Sequence, residues 1–143
     1  MTADPRRDPV AYPIVGEVRP RYRDVDPLRH LNNVAQAEYY EEGVMTLHRA
    51  ALAGVRREAG HGVVLRVNLH YLAEARYPEV LQLCSGVVRV GRSSYEFGQA
   101  LFQGGRCISL CDTVVVYTVS GASAPVPETY RSGLEELMVK IAN

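Results

Sequence analysis

Between Val34 and Ala51 the chain reads Val-Ala-Gln-Ala-Glu-Tyr-Tyr-Glu-Glu-Gly-Val-Met-Thr-Leu-His-Arg-Ala-Ala, and from Val63 to Leu72 it reads Val-Val-Leu-Arg-Val-Asn-Leu-His-Tyr-Leu. The first stretch has a helical period. At about 100° per residue Val34, Ala37, Tyr40, Val44, Leu47 and Ala51 fall on one stripe, with Glu38, Glu42 and Arg49 opposite. This spacing predicts a long helix with one buried side, ending around Gly54. The second stretch has period two: Val63, Leu65, Val67, Leu69 and Tyr71 alternate with Val64, Arg66, Asn68, His70 and Leu72, as a strand with one buried face requires.

Working outward, three more strands are expected near 79–90, 93–103 and 106–119. Gly91-Arg92 and Gly104-Gly105 separate them as hairpin-type turns, so successive strands pair antiparallel. Leu134, Leu137, Met138 and Ile141 recur at helical spacing within Glu128–Ala142, which predicts a short C-terminal helix. Upstream, residues 14–24 are strand-compatible, with Pro20 restricting that strand to an edge or a bulge. Residues 1–12 hold two prolines and many charges and are expected to be a flexible N-terminal tail, leaving 13–143 as a single domain. One long helix with one buried stripe needs a curved sheet to cover it. The fold class is α+β, a central helix lying in the concavity of an antiparallel sheet, and apolar side chains left on the sheet imply a partner subunit.

Composition narrows the function. In 143 residues, 16 Lys and Arg balance 16 Asp and Glu, and no basic stripe forms, so a nucleic-acid partner is not expected. No run of about 18 apolar residues and no leader-like apolar region follow the first charges, which points to a cytoplasmic chain with no membrane partner. Cys84, Cys107 and Cys111 are odd in number and lack CxxC spacing, and the histidines share no ligand spacing with them or each other. Buried thiols, no disulfide, no metal and no cofactor are the expectation.

The segment Asp24-Val-Asp-Pro-Leu-Arg-His-Leu-Asn-Asn33 reads as a polar loop, in which Pro27 pushes Asp26 toward extended dihedrals and Asn32 or Asn33 caps the helix. Arg21-Tyr-Arg-Asp-Val-Asp-Pro-Leu-Arg-His-Leu-Asn-Asn-Val34, with Glu38-Tyr-Tyr-Glu-Glu42, resembles the signature of the 4-hydroxybenzoyl-CoA thioesterase-like group of hotdog-fold proteins. Tyr71-Leu-Ala-Glu-Ala-Arg-Tyr77, Val88-Arg-Val-Gly-Arg-Ser-Ser94 and Gly104-Gly-Arg106 extend the likeness, which covers roughly residues 14–130. The resemblance implies a hotdog fold, two subunits that join their sheets, and active sites at their interface. It implies an acyl-CoA thioesterase that cleaves an acyl- or aroyl-CoA to free acid and CoA. The carboxylate at Asp26 would be nucleophile or general base, and backbone N–H groups near Asn33 would polarise the carbonyl. Many members of the group carry Gly where this chain has Arg29. The loop also resembles the Asp-x-Asn-x-His-x-Asn-Asn stretch of plant-type acyl-ACP thioesterases, with Leu28 in place of the middle Asn.

Thioester hydrolysis needs a base or nucleophile, an oxyanion site and a grip on a phosphate-bearing carrier. Asp26, His30 and Asn33 are the catalytic candidates; Asn32, Arg92, Ser93 and Ser94 are the substrate-binding candidates, the last three through the phosphates or pantetheine of CoA. Plain structural readings stand beside them: a turn Asp before Pro, a loop His, an ordinary helix cap and a hairpin turn. Asp24 is a supporting carboxylate, orienting Arg23 or His30. The expected partners are acyl-CoA and further copies of the chain, as homodimer or homotetramer. Three other readings keep the fold: an acyl-ACP thioesterase, a dehydratase or hydratase using His30 with a carboxylate, and a non-catalytic acyl-CoA-binding protein.

Overall fold

The computed structural model describes residues 4–53 and 60–140. In chain order the elements are β1 (Ile14–Val18), α1 (Asn33–Ala51), β2 (His61–Tyr71), β3 (Leu81–Val90), β4 (Ser94–Gln103), β5 (Arg106–Val119), β6 (Ala122–Ser123) and α2 (Glu128–Glu135). The strands form one antiparallel sheet in the order β1-β3-β4-β5-β2, with β6 folded back on the end of β5. Gly104 and Gly105 both adopt positive φ in the β4–β5 hairpin, the left-handed turn that matches the twist of the flanking strands. No helix among the described residues is long and apolar enough to cross a membrane.

Helix α1 packs across β3 and β4. Val44 and Leu47 meet Val87, Tyr95, Phe97 and Val115, while Tyr39 and Tyr40 meet Leu81, Leu101 and Ile108. The buried stripe differs from the predicted one: Val34 and Ala37 are exposed, and the inward positions are Ala35, Gln36, Tyr39, Tyr40, Gly43, Val44, Leu47 and Ala51. The helix is rotated because Gly43 and Gln36, which carry no apolar signal, occupy the contact. A Cβ on Gly43 would overlap the Gln99 side chain, so glycine sets how closely helix and sheet approach. The predicted end of α1 at Gly54 and the position Ile141 lie outside the described residues.

Three further expectations are corrected. Strand β1 stops at Val18, and Tyr22–Asp24 form a short 3₁₀ turn. Residues 4–12, predicted as tail, lie in two 3₁₀ turns on the outer side of the sheet. Arg6 pairs with Asp112 at 2.6 Å, and Ala11 and Tyr12 pack on Cys84, Ala100 and Phe102. Composition understated this segment because two buried residues and one ion pair suffice to seat it. Strand β2 is an edge strand with little cover: Val64, Leu65, Val67 and Tyr71 are each more than 40% exposed, while Leu69 packs partly on the cluster around Leu31 and Ile108. The cysteines are unpaired, Cys84 and Cys111 buried and Cys107 half-buried.

Candidate active site

The loop before α1 is organised by Asp24. This carboxylate is 3% exposed and accepts hydrogen bonds from the Arg21 backbone N–H (2.9 Å), from the Arg21 guanidinium, and from the Tyr39 hydroxyl (2.6 Å). Burial alone would raise its pKa, but the bonds from Arg21 and Tyr39 outweigh that cost and hold the carboxyl below its ordinary range. The same contact and burial push the Tyr39 phenol up. Asp24 therefore does not orient Arg23 or His30, the role expected from sequence; it ties the loop to α1 through Tyr39. Its carbonyl also receives the Asn32 N–H (2.8 Å), which places the helix start.

Two residues on, Asp26 closes a tight turn. Its Oδ1 accepts the backbone N–H groups of Leu28 (2.9 Å) and His30 (3.0 Å), its own N–H donates to the His30 carbonyl, and its carbonyl accepts from Arg29. Among the described residues Oδ2 has no protein hydrogen bond, so the carboxylate is aimed by one oxygen and free at the other. Arg29 takes φ +68°, the left-handed conformation that glycine adopts without cost. An arginine at this position holds the turn only under left-handed backbone strain. Relief of about 1–2 kcal/mol of left-handed strain, less about 0.4–1 kcal/mol for glycine's freer unfolded chain, leaves Arg29→Gly more stable by about 0.5–1 kcal/mol. Equilibrium denaturation checks this sign.

The Asn32 side chain caps α1 by accepting the Ala35 N–H at 2.6 Å, and the Gln36 N–H bonds to the Asn32 carbonyl. The N–H groups of Asn33 and Val34 have no protein acceptor among the described residues, and they carry the positive end of a 19-residue helix. Asp26 and Asn33 line one cleft of about 400 Å³, together with Gln36, Leu31 and the stretch Tyr71–Ala75 that follows β2. Carboxylate, free helix amides and walls of mixed polar and apolar character thus share one cavity.

The structure does not unite every candidate. His30 lines the same cleft, but its imidazole makes no hydrogen bond to the Asp26 carboxylate and meets Glu74 instead, Nε2 to Oε2 at 3.1 Å. Asn32 faces its own helix. Arg92, Ser93 and Ser94 lie at the opposite end of β4 from Gln103, which borders the cleft side; ten strand residues separate those ends by about 30 Å. Within one chain none of the three lines the cleft that holds Asp26. Sequence reasoning missed Gln36, Glu74, Arg76 and Arg106. The last three, with His30 and Gln103, line a smaller pocket of about 170 Å³. Glu74 and Arg76 come from the loop after β2 and Arg106 from the start of β5, all distant in sequence from Asp26, so only Gln36 left a local signal, as an amide on the helix face that packs on the sheet. Among the described residues no three His, Cys, Asp or Glu side chains gather as metal ligands.

The family model described as the thioesterase-like superfamily matches residues 20–134. A protein from Pseudomonas aeruginosa strain PAO1 superposes with TM-score 0.81 at 22% identity, over 94% of this chain and 98% of that one. A predicted thioesterase from Bacillus stearothermophilus gives 0.80 at 20%, over 90% and 98%. A thioesterase from Thermus thermophilus, solved with coenzyme A and Zn, gives 0.75 at 27%, over 88% and 94%. No match was found among curated proteins. The α+β hotdog architecture expected from the sequence is the one observed.

Proposed function

Since the chain belongs to the thioesterase-like superfamily, we propose that it hydrolyses an acyl- or aroyl-CoA to free acid and CoA, with Asp26 as nucleophile or general base and the Asn33 end of α1 as oxyanion site. One observation carries this reading. A carboxylate held at Oδ1 by two loop amides and unbonded at Oδ2 shares a cleft with the unpartnered N–H groups of a long helix. Charge developing on the thioester oxygen gains from those preorganised donors, and it gains little in the ground state. Water that gives its proton to Asp26, or the Asp26 carboxylate itself, adds to the carbonyl carbon to form the oxyanion. Collapse then breaks the C–S bond, and CoA leaves as a thiolate protonated by Asp26 or by solvent, while in the nucleophile route a water next cleaves the acyl–Asp26 anhydride to free acid and restores the carboxylate. The Thermus relative solved with coenzyme A supports CoA as the carrier.

The second copy belongs to the same reading. An unpaired edge strand with exposed Val64, Val67 and Tyr71 is an apolar surface that a two-fold partner pairing along β2 would cover. Antiparallel β2 pairing would also carry the partner's own 92–94 hairpin toward the cleft end, which is how Arg92, Ser93 and Ser94 would come near CoA. Sedimentation at the mass of one chain removes this part of the proposal.

The test of function is thiol release from a panel of short, medium, long and aromatic acyl-CoAs, corrected for the protein's three cysteines. Hydrolysis of at least one member is expected. Turnover of enoyl or 3-hydroxyacyl thioesters without thiol release would replace hydrolysis with the hydratase reading, for which the His30–Glu74 pair offers a base. Tight binding with no turnover of any kind would leave a binding protein, and cleavage of acyl-ACP alone would change the carrier.

A further inference from the structure

Gln36 sits where an apolar residue would be expected, on the buried stripe of α1, and is 3% exposed. A buried amide is costly unless bonded. Its Oε1 is satisfied: Ser109 Oγ donates to it at 2.7 Å, and Ser109 is held by the Tyr40 hydroxyl, which donates to the Ser109 carbonyl at 2.8 Å and lies 2.7 Å from Oγ. The Tyr40 carbonyl accepts from Gln99 Nε2, and Gln99 Oε1 accepts from Ser85, so the column is braced through the sheet. Gln36 Nε2 has no protein partner among the described residues. It is not sealed in, because no fully buried side-chain nitrogen or oxygen there lacks a partner. That end of the amide therefore opens into the space Gln36 borders, the cleft it shares with Asp26 and Asn33.

Resting on the thioesterase reading of this cleft, we infer that Gln36 is a catalytic residue whose Nε2–H, together with the free N–H groups of Asn33 and Val34, receives the thioester oxygen as it gains charge. Position supports this. Helical side chains lean toward the N-terminus, and Gln36 stands three residues after Asn33, so both lie on one face of the first turn. The Ser109–Tyr40 clamp fixes the amide before substrate arrives, which is the condition under which a donor lowers a barrier without reorganising. No such clamp is needed for packing; a Met or Leu would fill the place without one.

The experiment compares wild type with Gln36→Met, which keeps the length and removes the donor, on the acyl-CoA that wild type cleaves best. Removing one oxyanion donor is expected to lower kcat on the order of 10²-fold and leave KM within roughly threefold, since the interaction forms only in the transition state. Gln36→Ala, which relieves any crowding by Met, should show the same split, and thermal midpoints confirm that both variants are folded. A kcat within twofold of wild type in a folded variant, or a rise in KM at unchanged kcat, overturns the assignment while leaving the thioesterase reading intact. A wild type that cleaves no thioester sinks both.

Discussion

Asp24→Ala is expected to lower the folding stability by about 3 kcal/mol, because it removes a buried carboxylate that satisfies a buried hydroxyl and a backbone N–H. The Tyr39 hydroxyl, bonded to Asp24 at 2.6 Å, would be left without an acceptor inside the core, and the Arg21 N–H would lose its partner. The Arg21 side chain is half exposed, so its ion pair adds little, and the cost comes mainly from the desolvated groups. A pH dependence follows. The folded-state pKa of Asp24 lies below its ordinary value near 3.8. Its contribution is therefore fully present above that value, and it is lost as pH falls through the lower folded-state value. Wild type should lose stability across this acid window, and Asp24→Asn should show a shallower loss. Urea denaturation between neutral pH and pH 3 measures both effects; a variant as stable as wild type at neutral pH would show that the loop is anchored elsewhere.

Much of the architecture was legible because it depends on local rules. The 3.6-residue period of 34–51, the alternation of 63–72 and the Gly104-Gly105 turn each specify a conformation without distant partners. The rotation of α1 was not legible, because it depends on Gln36 bonding Ser109 and on Gly43 meeting Gln99, both contacts across more than fifty residues. The exposure of β2 was hidden for a related reason: period two shows that a strand has an apolar face, and only its edge position in the sheet shows that the described residues leave most of it open.

The site divides in the same way. Asp26 and the cap at Asn32 could be read from the loop, since an Asx turn and an N-cap are short-range devices. The direction of His30 could not, because Glu74 decides it from the far side of β2. Nor could the remoteness of Arg92–Ser94, which is set by the length of β4 and by where its two hairpins end. A carrier site assembled from two copies would be invisible to any reading of one chain.

Asp26→Asn is the substitution on which the account turns. Asparagine keeps an Oδ1 that can accept the N–H groups of Leu28 and His30, so the turn and the cap behind it should survive and the thermal midpoint should stay close to wild type. What is lost is the anionic oxygen in the cleft, which serves the transition state as nucleophile or base. The expected loss in kcat is on the order of 10²-fold or more, or about 2.7 kcal/mol at 1.36 kcal/mol per decade. KM should change little. The measurement is steady-state thiol release by wild type and Asp26→Asn, side by side on the acyl-CoA that wild type cleaves best. A folded variant slowed by two decades or more upholds Asp26 as the reacting carboxylate, and a folded variant with wild-type kcat contradicts it.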